Sequence, residues 1–209
     1  MVIRKKGILF VVSGPSGVGK GTVINEALKL APDINLSISY TTRIPRENET
    51  SGKEYFFVSE DEFVTMRERG EFLEWAKVHS NFYGTPKKYV EEKLKLREDV
   101  LIEIDTQGAK KVKEVFHNGV FIFILPPSFE TLIERLNKRG TENEKSIKER
   151  YNDAQNECKE WKWYNYIVVN DSIEKSGKFI ASIIMAERCK SFRMKEVDNI
   201  WDEPEEKNR

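Results

Sequence analysis

Residues 13–22 read SGPSGVGKGT and place a lysine and two glycines at the spacing that cradles phosphate. Gly14, Gly19 and Lys20 fit the pattern G-x-x-x-x-G-K-[ST], but Gly21 follows the lysine and the hydroxyl of Thr22 comes one place late. Such a loop works through its backbone: successive N–H groups converge on an anion at a helix N-terminus, where the dipole adds positive potential. Glycine lets the chain approach the anion closely, and Lys20 supplies a mobile point charge for the terminal phosphates. The run Gly14, Pro15, Ser16, Gly17, Val18, Gly19, Lys20, Gly21 and Thr22 is therefore read as a triphosphate site. Gly21 keeps its N–H, so the cradle survives the departure. What is lost is a hydroxyl for Mg²⁺, an ion that takes many of its ligands from phosphates and water. Thr22 is the nearest replacement.

Further on, one segment allows two readings, solvated surface arginines or a second anion site. Arg43 and Arg46 flank Pro45 in SYTTRIPR, a segment without helical or core pattern. Arginine suits bidentate phosphate contacts, and Tyr55 and Tyr83 are available as phenolic donors to the same anion.

These residues need a scaffold. Ile8–Val12 is a continuous apolar run, as expected of a strand buried on both faces, and the glycine loop follows it at once. Val23, Ile24, Ala27 and Leu28 then recur at helical spacing until Pro32. Val100–Ile104, Val120–Leu125 and Tyr166–Val169 read as further buried strands. Between them lie helical stripes at Ala109, Val112, Val115 and Phe116, and at Phe129, Leu132, Ile133 and Leu136. Strands alternating with helices argue a parallel α/β sheet. Two stretches interrupt the rhythm. Residues 37–90 are aromatic-rich and turn-rich and suggest an inserted lobe, with Ser59 and Glu62 at capping-box spacing. Residues 138–160 are charged almost throughout, with Thr141 and Glu144 as another such pair, and so belong outside the core. The acidic tail from about Asp198 has no periodicity and is expected to fray.

The 209-residue chain carries 35 basic and 35 acidic side chains, a balance that argues against a partner such as nucleic acid. Cys158 and Cys189 lack disulfide-framework or metal-ligand spacing. The apolar run near the N-terminus is too short for a signal peptide, and no segment has the length to span a bilayer. A soluble, cytoplasmic protein with no membrane partner is expected.

SYTTRIPR, GKEYFFV, EFLEWAKVHSNFYGTP, EIDTQGAK, RLNKRGTENEKSIKER and IVVND together resemble the guanylate kinases in order and spacing, over about residues 7–190. The resemblance implies a three-layer P-loop kinase fold: a central parallel sheet, an inserted mixed β/α GMP-binding lobe and a helical lid. It divides the chain into core (1–36), lobe (37–95), core (96–137), lid (138–160), core (161–197) and tail (198–209). By motif position, Arg43, Arg46, Tyr55 and Tyr83 would hold the GMP phosphate, Ser39, Glu74 and Thr85 would read its base, and Gly84 and Asp105 would also lie at GMP. The chemistry agrees: a carboxylate accepts both N1–H and the 2-amino group of guanine, and hydroxyls satisfy O6. Adenine would leave such a site unpaired, a mismatch rejected on the order of 10⁴-fold. Glu103 stands where the family usually has aspartate and is expected, with Thr22, near the water shell of Mg²⁺. Arg135, Arg139 and Arg150 would close over the ATP phosphates, and Asn170 would approach the adenine.

The implied reaction passes a phosphoryl group from ATP to GMP, with Lys20, Arg43, Arg139 and Arg150 as the catalytic set. The attacking phosphate oxygen is already anionic, so no general base is needed. The task is alignment and charge stabilisation, which suits a chain whose two histidines, His79 and His117, form no catalytic pair. The resemblance leaves a monomer or weak dimer open, and dGMP as a second acceptor. Rival readings are another nucleoside monophosphate kinase, or a non-catalytic interaction domain built on the same fold.

Overall fold

Leu9–Ser13 is buried along its whole length, and its side chains go alternately to two different cores. Phe10 and Val12 join one, Leu9 and Val11 the other, as the two-residue period of a strand requires. Only a strand with cover on both faces does this. The computed structural model describes residues 3–4, 6–78, 80–137 and 144–195, the side chains of 3–4, 144–150 and 195 excepted. Along the chain run β1 (Ile3–Arg4), β2 (Leu9–Ser13), α1 (Lys20–Leu30), β3 (Asn35–Ser37), β4 (Tyr40–Thr41), β5 (Phe56–Phe57), α2 (Glu60–Glu68), β6 (Phe72–Val78) and β7 (Asn81–Pro86). There follow α3 (Lys87–Lys95), β8 (Val100–Glu103), α4 (Thr106–Val115), β9 (Val120–Leu125), α5 (Phe129–Asn137), α6 (Glu144–Cys158), β10 (Tyr166–Val169), α7 (Ile173–Arg188) and β11 (Met194–Lys195).

The central sheet has the order β10-β9-β2-β8-β3, and every pair in it is parallel. One face carries α1, α5 and α7 through Ile24, Ala27, Leu132 and Ile180. The other carries α3 and α4 through Val90, Ala109 and Val112. This is the three-layer α/β architecture. The first strand, β2, lies between β8 and β9, so the connections leave it in opposite directions. A crevice opens there beyond the carboxyl ends of the strands, the place where open α/β sheets bind ligands.

A second sheet, β5-β4-β7-β6, is mixed, with β4 parallel to β5 and antiparallel to β7. It is held by its own aromatic packing. Phe63 of α2 stacks on Phe72 at 4.5 Å and on Phe82 at 5.4 Å. Ser59 caps α2 by accepting from Glu62 N, as the spacing of that pair suggests.

Three expectations change. Tyr166–Val169, read as buried on both faces, is an edge strand with Ile167 39% and Val169 44% exposed. An apolar run cannot by itself reveal that nothing covers one side. Val115 is exposed, because it ends α4 past the turn that faces the sheet. The charged stretch also has a buried seam: Ala154 of α6 is fully buried in the core and Tyr151 meets Phe129 edge-on. The short strand β3 and the helices α3 and α7 are further elements; in α7 the buried Ile180, Ala181 and Ile184 recur at helical spacing. The pair Thr141 and Glu144 and the tail from Asp198 fall outside the described side chains.

Candidate active site

The phosphate loop leaves β2 at Ser13 and enters α1 at Lys20. Gly17 and Gly19 take φ values of 83° and 93°, where a side chain is strained. Gly14 is needed for space, since a Cβ there would lie 2.4 Å from the Ile124 carbonyl oxygen. The N-cap, Gly19, offers no side-chain acceptor, and no acid lies in the first turn of α1. No side chain of that turn therefore competes for its N–H groups. Lys20 folds back over the loop, its Nζ donating to the carbonyls of Gly14 at 2.8 Å and Pro15 at 3.4 Å.

Two residues expected at the donor nucleotide are hydrogen-bonded to this loop. Asn170, at the end of β10, is buried and donates from Nδ2 to the Val18 carbonyl at 2.8 Å. Arg135 of α5 donates to the same carbonyl and to that of Asn170, each at 3.2 Å. The loop is thus held at its backbone by the neighbouring strand and helix. Arg139 and His79 lie outside the described residues, and of Arg150 only the backbone within α6 is described.

One residue not anticipated touches the loop from the front. Glu157, near the end of α6, accepts from Ser16 N at 3.0 Å. Burial pushes its carboxyl above the ordinary carboxylate range, against the pull of the Ser16 N–H and the Lys20 charge. Glu157 lines an open cavity of about 280 Å³ together with Asp105, Thr106, Gln107 and Asn156.

The lobe brings Arg43, Tyr55 and Tyr83 together. Arg43 donates from one nitrogen to both oxygens of Glu49 at 2.8 Å, and from the other to the Ile44 carbonyl at 2.9 Å. Its guanidinium lies 5.6 Å from the Tyr55 ring centre, and that ring meets Tyr83 at 5.8 Å. Arg46 donates from its backbone N–H to Glu49 at 2.9 Å, and its exposed guanidinium lies 3.7 Å from the same carboxylate. Burial, then the charge of Glu103, raises the Tyr55 hydroxyl above its ordinary range. The lobe's phosphate-type cluster therefore feels the acid at the end of β8. Glu49 was not read from the sequence; its place six residues after Arg43 is its only signal.

Deeper in the lobe, Glu74 of β6 is buried and accepts at Oε1 from the Thr85 hydroxyl at 2.7 Å. Burial foremost, opposed by Thr85 and reinforced by the charge of Asp105, pushes the Glu74 carboxyl up to about 7. Asp105 caps α4 by accepting from Gly108 N at 2.7 Å. Ser39 is buried at the entrance of β4. Gly84 is explained by packing, since a Cβ there would lie 2.7 Å from the Phe72 ring.

Among the described residues no group of three or more His, Cys, Asp or Glu forms a ready metal centre. The surroundings of Gly21 nevertheless suit a phosphate-bound cation. A Cβ at residue 21 would lie 3.3 Å from Glu103 Oε2, so the acid stands in tight contact with the place where the usual hydroxyl-bearing side chain would begin. Thr22 is exposed on the next position of α1. The longer acid and the missing hydroxyl share one space.

Comparison with known proteins agrees with this geometry. The family described as Guanylate kinase matches residues 6–187. The chain is 51% identical to a guanylate kinase of Caldanaerobacter subterraneus subsp. tengcongensis, covering 94% of this chain and 96% of that protein. It is 51% identical to one of Clostridioides difficile, covering 92% and 94%. A crystal structure of guanylate kinase from Anaplasma phagocytophilum superposes with a TM-score of 0.79 at 33% identity, covering 96% of this chain and 95% of the other.

Proposed function

The chain belongs to the guanylate kinase family, and on that premise we propose that its phosphate loop takes the donor and its inserted lobe the acceptor. The reaction is ATP + GMP ⇌ ADP + GDP. Lys20 and the backbone N–H groups of the loop bind the β- and γ-phosphates, braced by Arg135 and Asn170. Arg43, with Tyr55 and Tyr83 beside it, neutralises the GMP phosphate and aims its oxygen at the donor. Arg46, Arg139 and Arg150 bring further charge to the two anions.

The observation that carries the acceptor assignment is the buried Glu74 carboxylate, held by Thr85 and facing Asp105. A carboxylate so placed accepts from N1–H and the 2-amino group of guanine together. Ser39 supplies a hydroxyl for O6, while the Thr85 hydroxyl spends its proton on Glu74 and holds the acid in place. A pyrimidine or adenine leaves this buried acid unpaired, at a high cost.

The nucleophile enters as an anion, so the protein's work is to align it, neutralise it and keep water out. Glu103, next to Gly21, is the residue that would hold Mg²⁺ through its water shell, with Thr22 in reserve; the ion would supply charge neutralisation on the phosphates. Turnover measured by a coupled assay with GMP, AMP, UMP and dTMP tests the reading. GMP should exceed each of the others by on the order of 10³-fold or more in kcat/KM; comparable rates with AMP would replace it with a different monophosphate kinase.

A further inference from the structure

We propose that Gly108 is a positioning residue for base recognition, its missing side chain allowing Glu74 and Asp105 to share the start of α4. Gly108 is the third residue of that helix. Glycine is among the poorest helix formers, and here no backbone reason calls for it. Gly108 is absent from the positive-φ glycines, which are Gly14, Gly17, Gly19, Gly52 and Gly70. It is also buried, so solvent exposure does not account for it.

The space around it does. A Cβ at residue 108 would lie 2.6 Å from Glu74 Oε2, 3.1 Å from Glu74 Cδ and 3.1 Å from Asp105 Oδ1. Beyond the helix's own backbone and the adjoining residues, the three nearest atoms all belong to these two acidic side chains. Each acid has a second anchor. Asp105 Oδ1 accepts from Gly108 N at 2.7 Å, and Glu74 Oε1 accepts from Thr85 at 2.7 Å. The bare backbone therefore lets Glu74 come against the positive end of α4 while Thr85 holds its other oxygen. A methyl group at 108 would leave the helix intact and drive the Glu74 carboxylate away, breaking its alignment with two adjacent ring donors.

The inference rests on Glu74 reading guanine, as proposed above, so its test separates the two. Inosine monophosphate lacks the 2-amino group. Gly108→Ala and Glu74→Ala are compared for the ratio of kcat/KM with GMP to that with inosine monophosphate, alongside KM for ATP and thermal melting. Gly108→Ala should melt near the unsubstituted chain, keep KM for ATP within about twofold and lose about tenfold or more of the GMP preference. In Glu74→Ala/Gly108→Ala the methyl no longer meets the Glu74 carboxylate, its nearest neighbour, so no loss should appear beyond that of Glu74→Ala. An unchanged preference in Gly108→Ala, with the preference lost in Glu74→Ala, overturns the positioning role and leaves the reading of Glu74 standing. An unchanged preference in Glu74→Ala removes both. Should Gly108→Ala fail to fold, a folded double variant supports the proposal and an unfolded one overturns it.

Discussion

Arg43 places one guanidinium nitrogen 2.8 Å from each oxygen of Glu49. The acceptor-side arginine is thus held by a carboxylate six residues away, whose oxygen also accepts from Arg46 N. A long side chain loses much rotamer entropy when a ligand fixes it. Glu49 bears that ordering before GMP arrives. Glu49→Gln should raise KM for GMP by about tenfold, the worth of one charge-assisted hydrogen bond. KM for ATP should stay unchanged. Arg43→Ala should lose more, on the order of 10² in kcat/KM for GMP. Steady-state kinetics with each substrate varied measures both, and an equal rise in the two KM values would refute the assignment of this pair to the acceptor.

Glu157 reaches the donor loop as an internal anion, accepting from Ser16 N at 3.0 Å. Donor phosphates bring several negative charges to the same loop, so the carboxylate opposes them. Glu157→Gln keeps an acceptor oxygen and removes the charge. Calorimetric titration with ADP should show binding tighter by about threefold or more at low salt, a gain that shrinks as salt screens it. Weaker binding would mean that Glu157 supports the loop rather than competing for it.

Glu74 gives the site a pH dependence. Its folded-state value of about 7 lies above the ordinary 4.5, so between these the folded chain binds more protons than the unfolded chain. The contribution of this group to stability therefore falls as pH rises through that window. Guanine needs the ionised form, because a protonated carboxyl offers one good acceptor instead of two. KM for GMP should fall from pH 6 to 8, and binding at pH 7 should release protons, detected by calorimetry in buffers of different ionisation enthalpy. Glu74→Gln should retain only the titration of the phosphate near pH 6.

Gly21 and Glu103 make a matched pair, with 3.3 Å between a Cβ at the first and Oε2 of the second. Glu103→Asp alone should weaken Mg²⁺ binding to the ADP complex by about tenfold. Gly21→Ser alone should crowd the carboxylate. The double variant, which restores a hydroxyl and shortens the acid, should recover most of the affinity. Titration of Mn²⁺ into the ADP complex reads this without turnover; purely additive losses would show that the two positions act separately.

Much of this protein is local, and local features are legible in a sequence. The phosphate loop is contiguous, so its glycines, its lysine and the strand before it announce themselves within fifteen residues. Leu9–Val12 and Val120–Leu125 are apolar throughout because both faces are covered. Tyr166–Val169 shows where that reasoning stops, since composition records how apolar a strand is but not whether a helix lies over it.

The chain by itself determined a parallel α/β core, a phosphate loop with a displaced hydroxyl, and the residue types for a second anion. Tertiary structure alone decided which carboxylates face which donors. Ser16 and Glu157 meet across 141 residues, and Arg135 meets Val18 across 117. Gly108 has its meaning only from Glu74 on another element. The reason is physical: backbone geometry at a glycine loop is set by its own neighbours, whereas a contact between side chains depends on how strands and helices pack in three dimensions.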